Sequence, residues 1–257
     1  MAKKDGFDRR NFIQIIIGSS VGIASLKAIR EVFASEGNSG PHQWAMVIDL
    51  EKCTGCKYCT NSCQAHNDIH PDIEWNKVTP WGKNEKTYFL PQPCMHCEDA
   101  PCVAACPVKA SYYRDDGIVM MNYDRCIGCR YCEVACPYGA RSFNWTAFTG
   151  ENPKVPQWGN PEIPRRPRGV VEKCSFCYQR IDRGMSFDLI PGVDPQATPA
   201  CVVDCPVGAR QFGDLNDPDS SVSKLLKRRV VHRLWEELGT EPRVYYLYPT
   251  GEMEAET

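Results

Sequence analysis

The spacing of cysteine constrains this chain more than any other feature. Sixteen of the 257 residues are cysteine, and they form four groups of four. The groups are Cys53, Cys56, Cys59, Cys63; Cys94, Cys97, Cys102, Cys106; Cys126, Cys129, Cys132, Cys136; and Cys174, Cys177, Cys201, Cys205. Groups one and three read C-x₂-C-x₂-C-x₃-C, group two widens the middle gap to four residues, and group four opens it to 23. Cys106, Cys136 and Cys205 are each followed by proline. So many cysteines imply disulfides, zinc or iron–sulfur clusters. Zinc sites usually show two C-x₂-C pairs and four ligands in all. That leaves consecutive quartets with trailing prolines unexplained, and C-x₂-C repeats are poor spacers for separate disulfides.

The C-x₂-C-x₂-C-x₃-C-P run is the signature of bacterial ferredoxin clusters. Two-residue gaps let a tight loop set three thiolates at three corners of one cubane. The fourth cysteine starts a helix that points away, toward a neighbouring cluster, and the proline redirects the chain. Gly55 and Gly128 lie two residues after the first cysteine of their groups, where glycine lets backbone amides approach cluster sulfur. Internal repetition agrees. Ala105-Cys106-Pro107-Val108-Lys109-Ala110 matches Ala135-Cys136-Pro137-Tyr138-Gly139-Ala140 and Asp204-Cys205-Pro206-Val207-Gly208-Ala209. Tyr113, Phe143 and Phe212 follow at one offset. These alanines and aromatics either pack against clusters or serve only as core.

Composition excludes other classes. Charged residues at 24% and hydrophobic residues at 42% describe an ordinary globular chain. The net charge is −2, and residues 1–34 carry six Lys/Arg against three Asp/Glu, which leaves the rest at −5. Nucleic acid, which needs a basic patch, is not an expected partner. Within 1–34, Arg9-Arg10-Asn11-Phe12-Ile13 precedes a modest apolar stretch to Leu26. This resembles a twin-arginine signal for export of folded protein, a route that suits a chain whose cofactors are inserted in the cytoplasm. An amphipathic helix or an uncleaved anchor is the competing reading. The run is shorter than the roughly 20 residues of a membrane span.

The cysteine groups and their surroundings resemble the four-cluster iron–sulfur subunits of the dimethyl sulfoxide and polysulfide reductase superfamily. The stretches that carry the resemblance include Asp49-Leu50-Glu51-Lys52-Cys53-Thr54-Gly55-Cys56, Pro93-Cys94-Met95-His96-Cys97, Arg168-Gly169-Val170-Val171-Glu172-Lys173-Cys174 and the tail Gly239-Thr240-Glu241-Pro242-Arg243-Val244-Tyr245-Tyr246-Leu247. The resemblance implies four [4Fe–4S] clusters, since no tryptophan replaces a cysteine of group three. It also implies a pairing of group one with four and of two with three. Cys53, Cys56, Cys59 and Cys205 would hold one cluster, and Cys63, Cys174, Cys177 and Cys201 the next. Cys94, Cys97, Cys102 and Cys136 would hold a third, and Cys106, Cys126, Cys129 and Cys132 the fourth. The implied fold is α+β, with two interleaved ferredoxin-like modules, long loop insertions and a C-terminal helix. The implied role is non-catalytic electron transfer within a membrane-associated respiratory complex. The partners would be a large molybdopterin-family subunit or a multihaem cytochrome c, and a polytopic quinone-interacting membrane subunit. Such a chain would sit on the periplasmic side of the bacterial inner membrane, held through its partners. A free-standing periplasmic polyferredoxin is the alternative.

The expected organisation is a signal or anchor over 1–34, a tandem ferredoxin-like domain over 45–215 with insertions at 64–92 and 144–172, and a helix with an extended tail over 216–257. Strands are expected over 44–50 and 117–123. A helix is expected over 220–238, with Val222, Leu225, Leu226, Val230, Leu234, Trp235 and Leu238 on its apolar face. Long insertions are usually functional, and these are expected to cover clusters and meet partners. Arg165-Arg166-Pro167-Arg168 reads as a solvated loop, as counter-charge for a cluster or as a contact for an acidic partner. No catalytic constellation stands out. His42, His66, His70, His96 and His232 are scattered. His96, between two ligands, is expected to hydrogen-bond sulfur rather than bind metal. No dinucleotide fingerprint or haem attachment site occurs.

Overall fold

Each cysteine group is fed by one short strand, and three of the four are left by another, so strand pairing organises the molecule. The computed structural model describes residues 40–82 and 87–249. The export-signal expectation for 1–34 and the end of the tail lie outside them. β1 (Trp44–Asp49) leads into group one, and α1 (Tyr58–His66) carries Cys59 and Cys63. The hairpin of β2 (Lys77–Trp81) and β3 (Tyr88–Gln92) leads into group two. α2 (Pro101–Ala104) starts on proline, whose missing N–H is no loss in a first turn. β4 (Ser111–Tyr113) leaves group two, and β5 (Val119–Met121) leads into group three. After α3 (Tyr131–Val134), β6 (Arg141–Phe143) leaves group three and β7 (Val171–Lys173) leads into group four. α4 (Tyr178–Met185) lies in the widened gap, α5 (Ala200–Val203) carries Cys201, and β8 (Arg210–Asp214) leaves the last group.

The pairing rule is simple. β4 runs antiparallel to β5, β6 to β7, and β8 to β1. The strand leaving each of groups two, three and four therefore pairs with the strand leading into the next group, and the last closes on the first. Met46 of β1 opposes Phe212 of β8, residues 166 apart in sequence. The result is an α+β fold of short elements, as the sequence indicates.

β1 is the middle strand of a three-stranded sheet, order β8-β1-β9, with β9 (Val244–Leu247) parallel to it. All six residues of β1 are buried. Met46 and Ile48 belong to the large core around the cysteines, while Ala45 and Val47 pack with Val222, Tyr245 and Leu247 on the other face. A strand covered on both faces reads as a continuous apolar run rather than an alternating one. The extended aromatic tail thus pairs with the body of its own chain.

The expected helix over 220–238 is cut short. α6 (Ser221–Arg228) is capped by Ser220, whose Oγ accepts from the Ser223 amide at 3.1 Å. It ends where Lys227, Arg228 and Arg229 crowd like charge and Val230-Val231 bring two β-branched side chains. Arg229 is extended. His232 and Tyr246 then exchange backbone hydrogen bonds at 2.9 and 2.8 Å, which draws the chain onto β9. A 3₁₀ turn at Glu236–Leu238 follows. Val230, Trp235 and Leu238, assigned to one apolar face from the sequence, are exposed.

The two insertions dock on each other. Arg165 donates to both oxygens of Asp68 at 2.8 and 3.0 Å, and Asn152 donates to Asp68 Oδ1 and the Gln64 carbonyl. His66 Nδ1 pairs with Glu162 at 3.0 Å. Arg166 is buried against Glu172, Nε to Oε2 at 2.7 Å, and also donates to the carbonyls of Asn67 and Asp68. Two residues of the basic run are therefore not solvated: Arg165 and Arg166 staple 144–172 to 64–92, while Arg168 is exposed and donates to the Trp145 carbonyl at 3.1 Å. No helix among the described residues is long and apolar enough to cross a membrane.

Candidate metal centres

The folded chain gathers the cysteines into neighbourhoods. Cys106, Cys126, Cys129 and Cys132 line one small pocket with Gly128. Cys53, Cys56, Cys59 and Cys205 line another with Gly55. Cys63 lies where Cys174, Cys177, Cys201 and Cys59 all act on its thiol electrostatically. Cys97 feels Cys94, Cys102 and Cys136 in the same way. None of the sixteen is in a disulfide. Among the described residues no three His, Cys, Asp or Glu side chains converge on a single ion.

Local backbone explains the pockets. Gly55 and Gly128 have φ of +71° and +68°, a region that favours glycine. A β-carbon there would strike the Phe89 ring at Gly55 and the Gly169 carbonyl at Gly128. Backbone amides beside the trailing prolines turn toward sulfur. Ala110 N donates to Cys106 Sγ at 3.1 Å and Ala209 N to Cys205 Sγ at 3.3 Å. The alanine of the sequence repeat thus supplies an amide donor, and Ala110 and Ala209 are buried.

Burial pushes these thiols up. Cys174 rises to about 12, chiefly through desolvation and then the charge of Cys94. Cys63, Cys97 and Cys201 are raised for the same first reason. Thiols held this way stay protonated unless iron or a cation supports the thiolate, which is the form that binds metal. The structure supplies cations. Arg141 is buried, and its Nη2 donates to Cys102 Sγ at 2.9 Å. Arg210 is buried, and its Nη1 lies 3.7 Å from Cys201 Sγ. Burial alone would lower both guanidinium groups; the surrounding cysteine charges raise them instead. Lys173 is fully buried and donates to the carbonyls of Val119 and Cys174, and burial lowers its ammonium. Asn76 Nδ2 donates to Cys59 Sγ at 3.0 Å, and Asn67 Nδ2 lies 3.7 Å from both Cys63 and Cys177.

Arg141 and Arg210 escape the sequence reading, although a signal is present. Both follow the repeated alanine, in Ala140-Arg141 and Ala209-Arg210, where the first repeat has Ser111. Asn67 and Asn76 lie outside any repeat and carry none. His96 accepts from the Val119 amide at Nδ1, 3.1 Å, so the proton of its neutral ring is on Nε2. That atom is buried without a partner, as are Arg141 Nε, Trp75 Nε1 and Ser175 Oγ. His96 and Ser175 lie within cysteine groups, Trp75 adjoins Asn76, and Arg141 itself reaches Cys102 sulfur. Orphaned donors in these places fit a group rich in acceptor sulfide.

Comparison with known proteins agrees with this chemistry. Two profiles described as a 4Fe-4S dicluster domain match, one over residues 85–152 and one over 52–110 and 125–209. A Halobacterium salinarum chain, provisionally named as the iron–sulfur B chain of a dimethyl sulfoxide reductase, is 44% identical over 82% of this chain and 80% of its own. The menaquinone reductase iron–sulfur cluster-binding subunit of Nitratidesulfovibrio vulgaris is 42% identical over 80% of this chain and 88% of its own. The B chain of selenate reductase from Mesobacillus selenatarsenatis is 42% identical over 80% and 72%.

Proposed function

The chain belongs to the iron–sulfur subunits of the molybdopterin oxidoreductase superfamily, and from that premise we propose that it is the wire between a periplasmic redox partner and a quinone-interacting membrane subunit. It is a non-catalytic, [4Fe–4S]-carrying electron-transfer subunit of a respiratory oxidoreductase complex. Bound clusters supply one-electron redox chemistry. The protein supplies spacing, burial and charge.

The sixteen cysteines are read as four ligand sets in two interleaved modules. One module has Cys53, Cys56, Cys59 and Cys205, then Cys63, Cys174, Cys177 and Cys201. The other has Cys94, Cys97, Cys102 and Cys136, then Cys106, Cys126, Cys129 and Cys132. The observation that carries this reading is the grouping of the thiols, in which Cys56 of the first set and Cys129 of the last are the two that are exposed. Between them, Cys59 acts on Cys201, Cys94 on Cys174, and Cys102 on Cys132. That sequence of neighbours supports one row of four sets, with two ends open to partners.

The ends differ in chemistry. Around Cys129, Ile127, Tyr131, Val134 and Trp145 are exposed, Val134 by 86%. An apolar skin of this kind suits a permanent partner, and it is assigned to the membrane subunit. Around Cys56, Glu51, Lys52 and Lys57 face solvent beside the less exposed Tyr58 and Val207, a more polar surface that suits the molybdopterin-family subunit or cytochrome c. Export through the twin-arginine segment at Arg9-Arg10 would place the row outside the cytoplasm.

Anaerobic purification from native membranes, with metal analysis and identification of accompanying subunits, tests the proposal. Roughly sixteen irons per chain and a co-purifying polytopic subunit are expected. Molybdenum or haem c in the complex then names the other partner. Far fewer irons, or a chain that purifies alone as a diffusing polyferredoxin does, would overturn it.

A further inference from the structure

Every C-x₂-C pair that opens a group holds its third residue in left-handed backbone, and the four groups meet that demand in two ways. Gly55 and Gly128 occupy the position in groups one and three, at φ +71° and +68°. His96 and Phe176 occupy it in groups two and four, at φ 45° and 53°. A bulky side chain is strained in this region, and it persists only where its surroundings hold it.

These two residues hold each other. Their rings stack with centroids 3.8 Å apart and planes inclined by 26°, and both side chains are buried. Each ring is fixed from its own side. The Val119 amide of β5 donates to His96 Nδ1 at 3.1 Å. Phe176 meets Phe212 of β8 edge to face at 5.3 Å, and Phe212 stacks on Trp44 of β1 at 5.6 Å. The contact therefore ties Cys94-Met95-His96-Cys97, anchored on β5, to Cys174-Ser175-Phe176-Cys177, anchored on the three-stranded sheet. Glycine would relieve the backbone at both places but would leave no ring to join the loops.

We propose that the His96–Phe176 stack sets the separation of the two inner clusters, and so controls the one electron step that crosses from one module to the other. Both residues are positioning residues, and neither is a ligand. The inference rests on the ligand sets read above, in which these two loops hold the second and third clusters of the row.

The test uses the intact complex carrying His96→Gly, Phe176→Gly, both together, and the stack-preserving His96→Phe and Phe176→Tyr. Glycine suits the backbone, so iron content stays at the wild-type level. Electron paramagnetic resonance of the fully reduced complex then loses the spin–spin splitting between the inner clusters in each glycine variant. The double variant loses no more than either single one, because both remove one contact. His96→Phe and Phe176→Tyr keep the splitting. Unchanged splitting in the glycine variants overturns the proposal. So does iron loss in the ring-preserving variants, which would mark a merely structural role. The ligand sets are tested separately. Cys94→Ser and Cys174→Ser should alter the signals of two different clusters; alteration of the same cluster by both would refute the grouping and not the stack.

Discussion

Arg141 and Ser111 stand at one position of two sequence repeats, each five residues after the proline-flanked cysteine, and are hydrogen-bonded to each other, Nη2 to Oγ, at 2.6 Å. The same Nη2 reaches Cys102 Sγ at 2.9 Å. One repeat thus contributes a cation and the other a hydroxyl that holds it over the sulfur. Reduction adds negative charge to a cluster, and a nearby buried cation stabilises that state.

Arg141→Leu is therefore expected to lower the potential of the cluster that Cys102 would bind. A unit charge about 6–10 Å away at an effective dielectric of about 20 gives roughly 1.5–3 kcal/mol, or about 60–120 mV for one electron. Arg141→Lys keeps the charge and should shift far less. A redox titration followed by electron paramagnetic resonance reads both, and an Arg141→Leu complex with wild-type potentials would remove the assigned role.

Gly128→Ala should damage the group-three loop more than an ordinary surface glycine change. The added β-carbon would meet both a left-handed backbone and the Gly169 carbonyl. Together these are worth about 1–3 kcal/mol locally. The expected result is selective loss of about four irons per chain, with β1 and β9 still protected in hydrogen exchange. Gly150→Ala, where the backbone is not left-handed and a β-carbon meets nothing within 4 Å, is the control.

The cysteine spacing announced the tight loops that carry the thiols, because local geometry is written in local sequence; it did not announce that Cys205 joins Cys53, Cys56 and Cys59 across the fold. For the same reason Gly55, Gly128, β1 and β5 were legible. Arg166 was not. Its partner Glu172 is near in sequence, but the carbonyls of Asn67 and Asp68 that it also binds are about a hundred residues away. Periodicity over 220–238 misled because it records which residues are apolar. It did not record that the exchange between His232 and Tyr246 competes for the same backbone. His96 and Phe176 were hidden for a related reason. Left-handed backbone without glycine leaves no mark in a sequence.

Acid should loosen the two insertions from each other. Burial would raise the carboxyls of Asp68 and Glu162. Hydrogen bonds from Arg165 and Asn152 outweigh it at Asp68, and His66 with Arg180 and Arg183 outweighs it at Glu162, so both lie below the usual range. A depressed carboxyl contributes stability that is complete above its unfolded value, about 4, and is lost as pH falls through the folded value. Hydrogen-exchange protection of 144–172 should be level from pH 7 to about 5 and fall below about 4. Asp68→Asn should weaken protection at pH 7 and flatten part of the acid response. Protection that ignores acid in the unmutated chain would show that these pairs do not fasten the insertions.

Arg166 and Glu172 form the deepest ion pair among the described residues, at 2.7 Å with side chains only 2% and 1% exposed. Such a pair is poor evidence for net stability, because desolvating both ions offsets most of their attraction. Removing one partner is a different matter. Arg166→Met strands the Glu172 carboxylate, whose Oε1 already lacks a partner, and should cost about 3–5 kcal/mol. It also removes the donor to the Asn67 and Asp68 carbonyls. The joint change Arg166→Met with Glu172→Leu removes the stranded charge and should recover much of that loss, though not the part due to the two carbonyls. Denaturant unfolding of the three complexes separates the terms. Equal loss in the single and double variants would mean that the guanidinium acts only through those carbonyls, and that its pairing with Glu172 contributes nothing to holding the insertions together.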